Sequence, residues 1–110
     1  RMPSYRLAPD AFEDLVDIAD IGIARFGQLQ SAKYHASLER TFDILAGFPR
    51  IGSPSYDLRE GLYRFPHKAH VIFYTHAPEH ILIVRVLPAR ADFRRFFRSP
   101  YTTAVMPPST

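Results

Sequence analysis

Apolar residues recur with helical spacing in the first half of the chain and with strand spacing in the second. Phe12, Leu15, Val16, Ala19, Ile23 and Phe26 stand at i, i+3, i+4, i+7, i+11 and i+14, while Glu13, Asp14, Asp17 and Asp20 take the other side. Pro9 supplies the fixed φ of a first helical position, and Asp10 and Glu13 put anions in the first turn, where the helix dipole favours them. The spacing therefore predicts an amphipathic helix from about residue 9, preceded by a short extended stretch, Tyr5-Arg6-Leu7. Gly27 can take the left-handed conformation that ends it. Leu38, Phe42 and Leu45 then repeat at i, i+4 and i+7 through a second helix that stops at Gly47, with Pro49 beyond. Two antiparallel helices joined by a tight turn follow.

After Ile51 the period shortens to two. Gly52-Ser53-Pro54-Ser55 is loop chemistry; Leu62-Tyr63-Arg64-Phe65, residues 70–76 and residues 81–87 read as strands, the last two joined through Ala77-Pro78-Glu79. Val71 to Tyr74 and Leu82 to Val84 are apolar on both faces. One face should lie on the helix pair, and the other needs a second cover, either the C-terminal segment or a partner. Residues 91–98 predict a short helix with Phe93, Phe96 and Phe97 as an aromatic patch and Arg94, Arg95 and Arg98 as a basic one. The expected fold is α+β in the order β-α-α-β-β-β, an N-terminal strand, a helical hairpin and a three-stranded antiparallel meander packed on it. It forms one domain over residues 1–98 with a proline-containing tail at 99–110.

Composition narrows the functional classes. The absence of cysteine excludes disulfides, thiolate zinc sites, iron–sulfur clusters and a cysteine nucleophile. With no apolar run of about 18 residues and no signal-peptide pattern, the expectation is a cytoplasmic protein without membrane contact. The net charge of +3 hides an asymmetry: residues 1–57 sum to −2 and residues 58–110 to +5, and twelve of the fourteen basic residues are arginine. Its planar fork binds carboxylate or phosphate bidentately, so an anionic partner is implied.

Five histidines invite a metal reading, but the nearby carboxylates Glu60 and Glu79 fit no recognised ligand spacing, and exposed strand and turn histidines are the simpler expectation. There is no nucleophile-elbow sequence and no clustered glycine to cradle phosphate, so neither cofactor nor metal is expected. The acidic helix face reads as solvated. Arg59, Arg64, Arg85 and Arg90 lie in or beside apolar strands. Internal pairing with Asp57, Glu60 or Asp92 and capture of an acidic partner are both open to them.

Taken together, Tyr5-Arg6-Leu7, Pro9, Ala11, Asp14-Leu15, Ile18, Gly52, Asp57-Leu58-Arg59, Gly61-Leu62, Ile72-Phe73-Tyr74, Arg85-Val86-Leu87, Arg90 and Asp92 closely resemble, in order and spacing, the ParE branch of the RelE/ParE toxins of type II toxin–antitoxin systems, over about residues 5–97. The resemblance implies the same β-α-α-β-β-β order, a ParD-like ribbon-helix-helix antitoxin as partner, and non-enzymatic poisoning of DNA gyrase. Two departures stand out. Ala8 replaces the usual Ser or Thr before the helix, removing a cap typically worth ~1 kcal/mol, and Pro88 replaces a His that often follows the last strand.

The alternative is the sister RelE branch, whose members cut mRNA on the ribosome. Its catalytic strand and C-terminal positions fall here near Val71 and on Phe96, which exchange no proton, and only Arg90 stays in register; a general acid would have to come from His70 or Tyr101. A plain nucleic-acid binder, suggested by the pI of 9.5, ranks third for want of a recognised motif, so no specific nucleic-acid contact by this chain alone is expected. The candidate antitoxin groove lies between the helix pair and the sheet edge, with Leu15, Ile18, Ile21, Phe42 and Tyr74 as apolar contacts and Arg59, Arg64 and Arg85 for carboxylates. The candidate target surface is Arg90, Phe93, Arg94, Arg95, Phe96, Phe97 and Arg98.

Overall fold

Pro9, Gly27 and an extra residue at Val84 decide where the chain changes direction. The computed structural model describes residues 4–97. Strand β1 (Ser4–Leu7) passes into helix α1 (Pro9–Gly47) through Ala8, whose extended backbone (φ −67°, ψ 156°) caps the helix without a side-chain bond. The missing hydroxyl is offset by the ladder itself, since the Ala8 N–H donates to the Ile83 carbonyl at 2.9 Å and the Ala8 carbonyl takes the Phe12 N–H at 3.0 Å.

Gly27 has φ 87° and ψ 165° inside α1, so the chain reverses there on one residue and α1 becomes two arms, residues 9–26 and 28–47. The arms lie against each other closely enough for the Ser31 hydroxyl to donate to the Ala19 carbonyl at 3.1 Å. A methyl group on Gly22 would stand 2.8 Å from Ser31 Oγ, so the smallest residue is needed at that crossing. The expected helical hairpin is present, but the packed stripe of its first arm is rotated from the expected one. Ala11, Leu15 and half-buried Ile18 face the core, whereas Phe12, Val16, Ile23 and Phe26 are exposed. Apolar residues surround so much of this arm that periodicity alone does not choose the buried side.

Strands β2 (Ser53–Pro54), β3 (Tyr63–His67), β4 (His70–Ala77) and β5 (His80–Pro88) complete a five-stranded sheet in the order β1-β5-β4-β3-β2. The three-stranded meander is there, extended by β1, which pairs parallel to β5, and by β2 at the far edge. β2 falls within the stretch expected to be loop; its proline is tolerated because an edge strand has one side with no ladder to supply. Pro88 closes β5, and Ala91 N–H turns back onto its carbonyl at 2.9 Å.

The register slips between Phe73 and Tyr74, so that Phe73 faces Arg85, Tyr74 faces Ile83 and Val84 is the extra residue. This resets the alternation of β5. Ile81 and Ile83 before the bulge and Val86 after it all join the helix-side core with Leu38, Phe42, Leu45, Ile72 and Tyr74. The other face of the sheet carries Leu62, Val71, Phe73, Val84 and Leu87, and it is covered by Phe97 of a short helix, α2 (Arg94–Phe97). The C-terminal segment is therefore the second cover, in a helix shorter than expected. Arg98 and the tail at 99–110 lie outside the described residues.

Candidate docking groove

β1 stops pairing at Leu7 opposite Ile83, which leaves the last residues of β5 with an edge facing the first arm of α1. Asp14 closes that edge. Its carboxylate accepts the Val86 N–H at 2.9 Å, the Arg85 Nε–H at 2.9 Å and an Arg85 NH2 proton at 2.7 Å. Three charge-assisted bonds satisfy a carboxylate that is almost fully buried. The bond to Asp14 raises the Arg85 pKa above its already high value, with burial working in the opposite direction. Asp14 was expected on a solvated acidic face; it stands instead on the packed side, because a strand edge and an arginine supply what water would have supplied.

Between the two arms and the β4–β5 pair lies a cleft of about 500 Å³, lined by Ile18, Ile21, Phe26, Tyr34, His70 and Leu87 among others, with Asp14 and Arg85 on its wall. Ile21 and Phe26 are 56% and 68% exposed, so much of the apolar surface around the cleft faces solvent. At the β3–β4 end the second arm of α1 meets two histidines. The Tyr34 hydroxyl stands 2.7 Å from His70 Nδ1 and donates to the His67 carbonyl at 3.3 Å. His67 is held by both ring nitrogens, Nε2 at 2.9 Å from Ser37 Oγ and Nδ1 at 3.2 Å from Thr41 Oγ1. Burial, aided by Lys68 and Arg40, pushes the His67 pKa down. Burial, aided by His67 and opposed by Asp14, pushes His70 the same way. Both rings are half-buried parts of a hydrogen-bonded network, not the exposed turn histidines expected, and among the described residues no three His, Asp or Glu side chains gather as metal ligands.

Across the opposite face, and round the β5 edge to the cleft that Arg85 and Phe96 also line, three arginines pair with three phenylalanines. The Arg59, Arg64 and Arg85 guanidinium carbons lie 5.2, 5.7 and 5.0 Å from the ring centroids of Phe97, Phe93 and Phe96 respectively. Arg64 Nε also donates to the buried Ser55 hydroxyl at 2.8 Å. Phe93 and Phe97 in turn pack on Phe73 with centroids 5.0 and 4.9 Å away.

The expected site residues thus separate into groups. Ile18 and Ile21 line the cleft, whereas Leu15, Phe42 and Tyr74 are core residues with 0–5% of their surface exposed. They have the apolar character of contacts, but in this fold they point into the helix-side core. Arg85 is consumed by Asp14. Arg59 and Arg64 make no ion pair with a carboxylate among the described residues; Phe93 and Phe97 hold α2 to the sheet, leaving Phe96, at 39% exposed, as the open member of the three. Arg90, Arg94 and Arg95 are exposed, Arg94 lying 3.9 Å from Asp57. The sequence marks neither Tyr34 nor the Asp14 latch, and only the Lys68-Ala69 pair between two strands hints that a hairpin sets His67 and His70 opposite each other.

Residues 5–93 match the family described as ParE toxin of type II toxin-antitoxin system, parDE. The chain is similar to the Toxin ParE1 of Caulobacter vibrioides, 37% identical over 86 residues that cover 78% of this chain and 88% of that one. It is also similar to the Toxin ParE1 of Mycobacterium tuberculosis, 34% identical over 92 residues covering 83% and 94%. Among solved structures, a chain of the chromosomal ParDE TA system from P. aeruginosa superposes with a TM-score of 0.68 over 79% of this chain and 96% of its own, at 19% identity, which speaks for a shared fold.

Proposed function

The chain belongs to the ParE toxin family of type II toxin–antitoxin systems, and from that premise we propose that it acts by binding: it holds DNA gyrase in an unproductive state and is neutralised by a ParD-like antitoxin that docks in the α1 cleft. The observation that carries the antitoxin half is the cleft itself, a largely apolar hollow of about 500 Å³ flanked by exposed Ile21 and Phe26. An antitoxin segment that becomes ordered on docking forfeits roughly 2–5 kcal/mol, which apolar burial of this kind offsets. Exposed Arg90, together with Arg95 and Phe96 of α2, is the surface offered to the target, and Phe96 also lines the rim of the cleft.

Action without bond cleavage is part of the same reading. Cutting RNA needs groups that take and give protons, and the strand and C-terminal positions aligned with such groups in RNA-cutting relatives fall near Val71, which is buried, and on Phe96. The His67 and His70 rings are engaged by helix hydroxyls, which supports a structural part for them. Expression of the chain in a bacterial host should arrest growth, and co-expression of the antitoxin encoded beside it should restore growth and yield a co-purifying complex. Growth arrest accompanied by cut messenger RNA in place of gyrase damage would put the nuclease alternative ahead of this reading.

A further inference from the structure

A second depression, of about 340 Å³, adjoins the cleft and shares Gln30 and Tyr34 with it. Its walls carry Lys33, Arg40 and Lys68 together with Ser37, and no carboxylate. None of these three cations makes an ion pair among the described residues. Lys68 and Arg40 both lie near enough to His67 to lower its proton affinity. Like charges brought together without a counter-ion repel one another, so the arrangement costs stability unless an anion occupies it.

The backbone adds an independent mark. Lys68 is the one non-glycine among the described residues with φ in the left-handed region, at 54°. It is the first of the two residues that turn β3 into β4, a position where glycine is the unstrained choice. Lysine there keeps an ammonium group 5.8 Å from the Tyr34 ring centroid, at the wall common to both hollows. Strain of this sort is characteristic of functional positions.

We propose that the depression lined by Lys33, Arg40 and Lys68 is an oxyanion pocket that takes the carboxylates of an acidic peptide segment whose apolar side chains lie in the adjoining cleft. The inference rests on the antitoxin-docking reading and adds to it the chemistry and direction of the segment. A peptide is favoured over a nucleic acid because the two hollows are continuous and the larger one is apolar, with little to offer a sugar–phosphate backbone. Direction follows from charge. On the cleft wall Asp14 and Arg85 neutralise each other and Asp17 is left, whereas the charged residues of the adjoining depression are all cations, so the acidic end of the segment lies over Lys68 and its neutral or basic end toward Asp17.

The test is calorimetric titration of the full chain with the antitoxin encoded beside it, at about 50 and 300 mM salt. The proteins compared are the wild type, the triple variant K33Q/R40Q/K68Q, Lys68→Gly alone, and a control pair R6Q/R50Q, two exposed arginines outside both hollows. The triple variant should bind about tenfold or more weakly at low salt and lose most of its salt dependence, with the control within about twofold of wild type. Lys68→Gly should melt at or above the wild-type temperature, because the strain is relieved, and still bind more weakly, a combination that a purely structural part for Lys68 does not give. Equal affinity of wild type and triple variant overturns the inference, and so does saturable uptake of inorganic phosphate by the wild type alone with antitoxin affinity unchanged. Failure of the wild type itself to bind overturns the docking reading and the pocket with it.

Discussion

Asp14 and Arg85, 71 positions apart in the chain, are joined by two hydrogen bonds of 2.7 and 2.9 Å, and the same carboxylate holds the Val86 N–H. The pair fixes the first arm of α1 to the part of β5 that β1 does not reach, and so shapes one wall of the cleft. Asp14→Ala should destabilise the fold by about 3 kcal/mol, because it leaves both a poorly solvated guanidinium and an unsatisfied amide. Replacing both residues by apolar ones should cost less than the sum of the single changes but stay destabilising, since the Val86 N–H remains without its acceptor. Urea denaturation of the three variants measures the coupling.

The hairpin depends on two glycines for different reasons. Gly27→Ala forces a side chain into φ 87° and should cost about 1–2 kcal/mol with no clash to relieve, since nothing stands within 4 Å of the added carbon. Gly22→Val should act by spreading the arms. Ser31→Ala should recover part of that loss in the double variant and none of the Gly27→Ala loss, which thermal melts would separate.

Stability should fall as pH drops. His67 and His70 both have pKa values pushed below 6.5 in the folded chain, so the unfolded chain takes up protons first. Above about pH 6.5 both states hold neutral rings and these groups contribute no slope; below it the unfolded state is favoured until the folded-state values are passed. Melting temperature should therefore decline from pH 7 toward pH 5, and His67→Gln should flatten the decline. Carboxylates that titrate lower down do not account for a slope that this variant removes.

The three phenylalanines of the C-terminal segment should behave differently. Phe97→Ala opens a cavity against Phe73 and Leu62 and should cost about 3 kcal/mol. Phe96→Ala should change stability by under about 1 kcal/mol, the worth of its contact with Arg85, and weaken action on the target. Chemical denaturation with a parallel toxicity assay reads both.

Much of the architecture was legible because it rests on local signals. Pro9, Gly27 and Pro88 mark ends through backbone geometry alone, and the period of two from Val71 to Val86 identifies the paired strands. What was not legible rests on contacts between distant residues. Asp14 looked like one more acid on a solvated face because only the strand edge 71 residues away makes it a buried acceptor. Leu15, Phe42 and Tyr74 looked like contact residues because side-chain type does not distinguish a core from an interface. The bulge at Val84 leaves no sequence mark, yet it sends Val86 to the core side and gives Arg85 its place at the edge. The β2 pairing of Ser53 and Pro54 is too short for periodicity to register.

The most direct measurement of the central claim is a supercoiling assay with purified gyrase, relaxed plasmid and this chain, run with and without its antitoxin and alongside translating ribosomes carrying a defined messenger. The account predicts loss of supercoiling at stoichiometric toxin, full recovery when antitoxin is added, and intact messenger throughout. Unimpaired gyrase at large molar excess, together with messenger cleaved at discrete positions, would contradict it.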